Sequence, residues 1–211
     1  GQWTDVVTRS AEGDELYAFY GYKTNGVYTS FEDLISSPVD MRSNSNPVVT
    51  NADGTKSWST NPGDYNPKTT TYIGDVKFVD VNGDGIIDEN DKTKIGSAMP
   101  KWTFGWNNTF RYKNLDLTVF VNGSIGNKVG NYMKMKLTHM NSPWQNQLVD
   151  CGNHALLAPK NGQAVENWYY DASNVIVTNP DCAYPRASIN DPSDNDVWSD
   201  RFIEDGSYLR L

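Results

Sequence analysis

No stretch of this chain is apolar for the roughly 20 positions that a membrane-spanning helix needs, so residence in a bilayer would have to be through β-strands. Gly1-Gln2-Trp3-Thr4-Asp5 has neither a basic start nor an apolar stretch and does not read as a signal peptide. Basic residues are in the minority, 18 Lys and Arg against 26 Asp and Glu, and the formal charge of −8 argues against nucleic acid as a partner. Histidine occurs twice, at His139 and His154, with no third ligand at a recognisable spacing, so no transition-metal centre is legible. No Gly-rich phosphate loop opens a helix and no G-x-S-x-G is present. Glu204 and Asp205 are carboxylates of the type glycosidases use, but sequence does not set the separation such chemistry requires. The chain reads as a non-enzyme. Cysteine is equally scarce. Cys151 and Cys182 either close a disulfide loop of about thirty residues, worth on the order of 3 kcal/mol, or stay as two thiols.

The most informative feature is the twelve-residue run Asp80-Val81-Asn82-Gly83-Asp84-Gly85-Ile86-Ile87-Asp88-Glu89-Asn90-Asp91. Oxygen side chains stand at its first, third, fifth, ninth and twelfth positions, with glycine at the sixth. A hard divalent cation takes six or more oxygens, and this spacing wraps a chain around one. The expected ligands are the side chains of Asp80, Asn82 and Asp84, the carbonyl of Ile86, Asp88 directly or through water, and Asp91. Asp91 stands where an EF-hand has Glu, a shorter arm that reaches the ion with one oxygen. The expected cofactor is Ca2+. The bland alternative is an Asp/Asn/Gly-rich turn with no ion. Asp75-Val76-Lys77-Phe78-Val79 before the loop alternates as a strand, and Ile95-Gly96-Ser97-Ala98-Met99-Pro100 after it is no long helix. A lone loop between extended segments staples a connection and is not a calcium sensor.

Between 102 and 123 the period is two. Trp102, Phe104, Trp106, Phe110 and Tyr112 share one face against Thr103, Gly105, Asn107, Thr109 and Arg111, with Asn108 interrupting the apolar side. Lys113-Asn114 makes a two-residue turn, and Leu115, Leu117, Val119 and Val121 follow on one face against Asp116, Thr118 and Asn122, with Phe120 the exception. Such a hairpin covers a soluble core or faces lipid from a barrel wall. In water alone, the apolar face must pack over the chain's own loops or against another copy. Short helices are expected at 30–36, where Phe31, Leu34 and Ile35 follow a Ser cap, and near 131–139, where Met133, Met135 and Leu137 alternate and equally suit a strand. The closing Asp205-Gly206-Ser207-Tyr208-Leu209-Arg210-Leu211 begins an alternating strand and stops, which favours a piece of a longer protein.

Several blocks occur in a telling order: Gly13-Asp14; FYGYKTNGVY at 19–28; GDVKFVDVNGDGIID at 74–88; Ile95-Gly96 with PKWTFGWNN at 100–108; Trp198; and EDGSYLRL at 204–211. Together they resemble the SusC/RagA family of TonB-linked outer-membrane proteins, while 30–70 and 127–197 match no pattern of that family. The resemblance implies a mainly β chain, a fragment from the C-terminal half of a plugged, 22-stranded-type transmembrane barrel with long loops and a few short helices. It implies an importer in the outer membrane of a Gram-negative bacterium, taking glycan or peptide fragments from a SusD-like surface lipoprotein with energy from TonB. No plug and no TonB box are recognisable. In that picture the 102–123 hairpin is a pair of barrel strands, while the 80–91 loop and the long 124–204 segment are extracellular. There Trp144, Trp168, Tyr169 and Tyr170 either stack on sugar rings or form a satellite core. The competing reading is a self-contained, secreted, calcium-stabilised β-domain that binds carbohydrate or a protein partner. A dockerin-like module would need a second such loop.

Overall fold

The period-two stretch forms a long antiparallel ladder. Strands Trp102–Tyr112 and Leu115–Ile125 have 11 residues each, and the hairpin runs two positions past the expected end at 123. The register opposes Tyr112 to Leu115, Phe110 to Leu117, Trp106 to Val121 and Trp102 to Ile125, so the apolar sets of both strands share a face. On the other face Arg111 pairs with Asp116 at 3.2 Å and the Thr109 and Thr118 hydroxyls meet at 3.3 Å. Lys113 turns the corner at φ +53°. Tyr208–Arg210 pairs antiparallel with the second strand, so the alternating terminus does form a strand. The apolar face is not covered by the chain's own loops: Trp102 is 73 % exposed, and Trp106, Phe110 and Tyr112 are exposed beside it.

In this computed structural model every residue is described except 1, 2, 5, 6, 14 and 143, with backbone alone for Trp3 and Thr4. Asp14 of the Gly13-Asp14 pair therefore lies outside the described residues. The architecture is mainly β with two short α-helices among the described residues, Phe31–Ile35 and Tyr132–Leu137, and none of its helices is long and apolar enough to cross a membrane. Ser30 caps the first helix, its hydroxyl accepting from the Asp33 N–H, and Phe31 and Leu34 go inward as expected. The ambiguous 131–139 stretch is helical from Tyr132 to Leu137, with no buried side chain.

The chain divides into two compact units, one of 1–21, 94–131 and 198–211 and the other of 22–93 and 132–197. The first holds the long hairpin, a sheet ordered Trp3–Thr4, Thr8–Ser10, Ala18–Gly21, Thr93–Ser97, and the antiparallel pair Lys128–Gly130 with Ile203–Asp205. Connectivity follows a rule. Residues 22–93 leave from strand Ala18–Gly21 and return on Thr93–Ser97, its hydrogen-bonded neighbour; residues 132–197 leave after Lys128–Gly130 and return to its partner Ile203–Asp205. Each excursion starts and ends on adjacent strands. In the first unit Trp198 lies stacked with Phe202 and close against two glycines: a Cβ on Gly21 would fall 2.6 Å from the Trp198 carbonyl oxygen, and one on Gly130 would fall 2.8 Å from the indole.

The second unit joins the two stretches in which sequence shows no recognisable motif. Tyr28, Phe31, Leu34, Val39, Trp58, Tyr65, Tyr72 and Ile73 from the first excursion pack with Ala155, Ala172, Val175 and Val177 from the second. The 124–204 segment is therefore not one free loop: its middle shares a core with residues 27–73. Trp58 Nε1 donates to the carbonyls of Ser37 and Pro38, and the Tyr65 hydroxyl donates to Ser59 O at 2.7 Å, so the large aromatics enter with their polar atoms satisfied. Strand Val76–Phe78 pairs with Thr24–Val27, as the alternation at 75–79 leads one to expect.

The Trp198 seat gives a direct stability prediction. Gly21→Ala drives a methyl into backbone and should cost about 1–3 kcal/mol in denaturant unfolding of the whole chain. Gly105→Ala meets nothing within 4 Å and should stay within about 0.5 kcal/mol of wild type. Equal midpoints for the two variants would contradict the packing described.

Candidate functional site

The acidic loop is folded by its own side chains. Asp80 accepts from the N–H groups of Gly83 and Gly85 at 2.6 and 2.8 Å, and Asn82 from that of Asp84 at 2.9 Å. Asp84 accepts from Ile86 N at 3.0 Å and Asp88 from Asn90 N at 2.7 Å. Gly85 takes φ +85°, the conformation its place in the pattern requires. Asp91 is wholly buried, and each of its oxygens accepts a backbone N–H at 2.8 Å, from Val81 and from Asp88. It closes the loop from inside. Ile86–Ile87 pairs in parallel with Val39–Asp40; the carbonyls of Gly85 and Ile87 accept from Val39 and Met41, and by strand alternation that of Ile86 points away from this partner.

The four loop aromatics separate. Trp144 is 92 % exposed. Trp168–Tyr170 is one 3-10 turn in which Trp168 packs against the core and Tyr169 lies 4.4 Å from the Tyr170 ring centre, with the Lys68 ammonium over Tyr170. The Tyr72 hydroxyl donates to Tyr169 O at 2.6 Å and pins the turn to the core. Trp168 and Tyr169 line a groove of about 530 Å³ with Pro67, Lys68, Leu157 and Ile189. Sequence singled out two of these residues. The others come from a Pro-Lys turn, from strand Leu157–Pro159 and from a loop at 189, which no local pattern connects.

Beneath the groove runs a buried polar network. Arg186 Nε and one terminal nitrogen reach the two Asp75 oxygens at 2.7 and 3.1 Å. Asp75 also accepts from Tyr72 N at 2.8 Å, from the Ser193 hydroxyl, and from Asn195 Nδ2 at 3.3 Å. Asp40 and Arg42 form a second bidentate pair, with the Arg42 guanidinium 3.8 Å over Phe78 and donating to Ser193 O at 2.9 Å. Ser193 thus joins both ion pairs. The loop around it carries Asp191 and Asp194 in left-handed backbone, at φ +38° and +50°. Burial, reinforced by the charges of Asp75 and Asp196, pushes the Asp191 carboxyl up to about 7, and burial with Asp196 raises Asp194.

His139 stands beside this loop, its Nε2 3.1 Å from Asp196 Oδ2 and 3.8 Å from Asp191 Oδ2. Both carboxylate partners of His139 thus lie more than fifty residues along the chain, beyond the reach of a spacing rule. His154 is engaged elsewhere, with Nδ1 2.9 Å from Cys151 O. Cys151 and Cys182 are not in a disulfide; Cys151 is buried with its sulfur 3.6 Å from Leu137 O, and burial raises its thiol pKa. Glu204 and Asp205 are successive strand residues held by Asn131 and by Ser207 with Lys128, in the role of structural carboxylates.

Asp191 sets a pH dependence. Folded, it keeps its proton to about 7; unfolded, it releases it near pH 4. A raised folded pKa means that its contribution favours the fold below about pH 4 and is lost as pH rises through 7. Asp191→Asn mimics the protonated acid, so in chelator-treated protein its stability advantage over wild type should widen steadily from about pH 4 to about pH 7 and then level, reaching a few kcal/mol at most. A gap independent of pH in urea titrations would rule this out.

No family model matches the chain. It is similar to three receptors of Formosa agariphila: TonB-dependent receptor P3, 28 % identical over 205 residues; TonB-dependent receptor P26, 32 % over 139; and TonB-dependent receptor P39, 30 % over 130. The matches cover 95, 66 and 56 % of this chain but only 15, 12 and 12 % of those proteins. The chain is a homologue of the TonB-dependent receptors, corresponding to a small segment of their length.

Proposed function

We propose that the chain is a strand-and-loop segment of a SusC/RagA-type importer in the outer membrane of a Gram-negative bacterium. The observation that carries this reading is the hairpin. Its 11-residue strands match the 9–11 or so needed to cross a bilayer, and exposed side chains stand on both faces, Trp102, Trp106 and Phe110 on one and Thr103, Asn107 and Arg111 on the other. A soluble sandwich covers one face of such a ladder; a barrel wall presents one to hydrocarbon and one to a wet lumen. A self-contained secreted domain would leave the apolar face in water.

On this reading the second unit is extracellular. Its groove, with the Trp168 and Tyr169 rings beside Lys68, suits an oligosaccharide or peptide fragment delivered by a SusD-like lipoprotein, with TonB energising the whole receptor. The chain carries no catalytic role. The acidic loop is a calcium staple: its donors are all oxygens, Asp80, Asn82, Asp84 and Asp88 ring the turn, and the Ile86 carbonyl is free of the parallel pairing. Asp91 offers the ion what its two backbone bonds leave.

Two measurements test these assignments. In the full-length parent protein in outer membranes, Trp106→Cys should react with a lipid-soluble maleimide and resist a hydrophilic one, and Asn107→Cys should do the reverse; equal hydrophilic labelling of both would refute the barrel wall. Calcium should raise the melting temperature of the whole chain by mass action, about 2.7 kcal/mol at a hundredfold excess over Kd. Asp84→Asn with Asp88→Asn should abolish that rise, and a wild-type melt insensitive to millimolar calcium would remove the ion from the loop.

A further inference from the structure

We propose that His139, Asp191 and Asp196 form a first-row divalent metal site of the zinc class, separate from the calcium loop. One donor atom from each residue lies within 4.8 Å of the others, and the two distances from His139 Nε2 are 3.1 and 3.8 Å. A tetrahedral ion with bonds of about 2.0–2.1 Å has an edge near 3.3–3.5 Å, which these distances bracket. A second observation points the same way. His139 Nε2 is buried from solvent and makes no hydrogen bond, although a carboxylate oxygen stands 3.1 Å away. A buried imidazole nitrogen that makes no hydrogen bond keeps a lone pair for a cation.

The chemistry of the donors selects the ion. One imidazole and two carboxylates suit zinc, manganese or cobalt, whereas the calcium loop offers oxygen alone. Asn195 supplies an outer layer: its backbone N–H and its Nδ2 donate to the two Asp191 oxygens at 2.9 and 2.6 Å, and it is itself held by Asp75. Asp191, Asp194 and Asp196 gather three carboxylates within six residues, with Arg42 the cation facing Asp194, and a dication offsets that charge. Bound metal would tie the segment after helix Tyr132–Leu137 to the 191–196 loop.

The test is calorimetric titration of chelator-treated whole chain with Zn2+, in calcium-containing buffer to occupy the other loop. One site per chain is expected. His139→Ala and Asp196→Asn should each weaken it about 10–100-fold, and Asp84→Asn should leave it unchanged. Absence of saturable zinc binding, or binding that His139→Ala leaves intact, overturns the proposal. Should a variant fail to fold, anomalous diffraction from zinc-soaked wild-type crystals decides: a peak about 2.1 Å from His139 Nε2 supports the site, and none there rejects it.

Discussion

Asp75 is wholly buried, and a carboxylate taken out of water costs several kcal/mol unless its lone pairs are met by donors. Here they are met from three directions: a guanidinium 111 residues away, a hydroxyl 118 away and an amide 120 away, besides the neighbouring Tyr72 N–H. The loop 186–195 is held here by this carboxylate together with the bonds from Val76 N to Asn195 Oδ1 and from Arg42 to Ser193 O. The backbone repeats the coupling: Gly74 N donates to Tyr28 O, Tyr28 N to Asp75 O and Arg186 N to Gly74 O, which draws two distant segments to one short stretch. The groove beside Trp168 and the acidic loop at 191–196 both rest on this arrangement. Removing one partner of such a pair is far more damaging than replacing both, because it strands a buried charge.

What sequence made legible was local. Alternation located the 102–123 hairpin and its apolar face, because a period of two has one geometric meaning over eleven residues. A serine before Phe31, with Leu34 and Ile35 following, marked a helix cap that forms as expected. The twelve-residue acidic run carries its own turn chemistry, and its Asx-type hydrogen bonds need nothing outside the run except the pairing with Val39–Asp40. What stayed hidden was everything non-local. His139 looked isolated because its neighbours lie beyond position 190. Lys68 and Ile189 carried no signal as groove walls. The run of aromatics at 168–170 was visible, but only tertiary packing decides that Trp168 faces the core while Trp144 stands in solvent.

The stretches 30–70 and 127–197, in which sequence shows no recognisable motif, share a core. A segment without a legible motif can still be well packed: around that core stand aromatic residues whose hydroxyl or indole nitrogen is bonded to backbone, and two bidentate ion pairs bridged by Ser193. Its order comes from complementary burial between two long excursions, and such complementarity leaves no periodic trace in either one alone.

Because each excursion leaves from one strand and returns on that strand's hydrogen-bonded neighbour, its length and content are decoupled from the register of the strands that bound it. The loss or gain of dozens of residues in either would not slide a single cross-strand pair. Yet the two excursions share a core and the Asp75 network, so they stand or fall together: a change in one without the other would orphan buried charges.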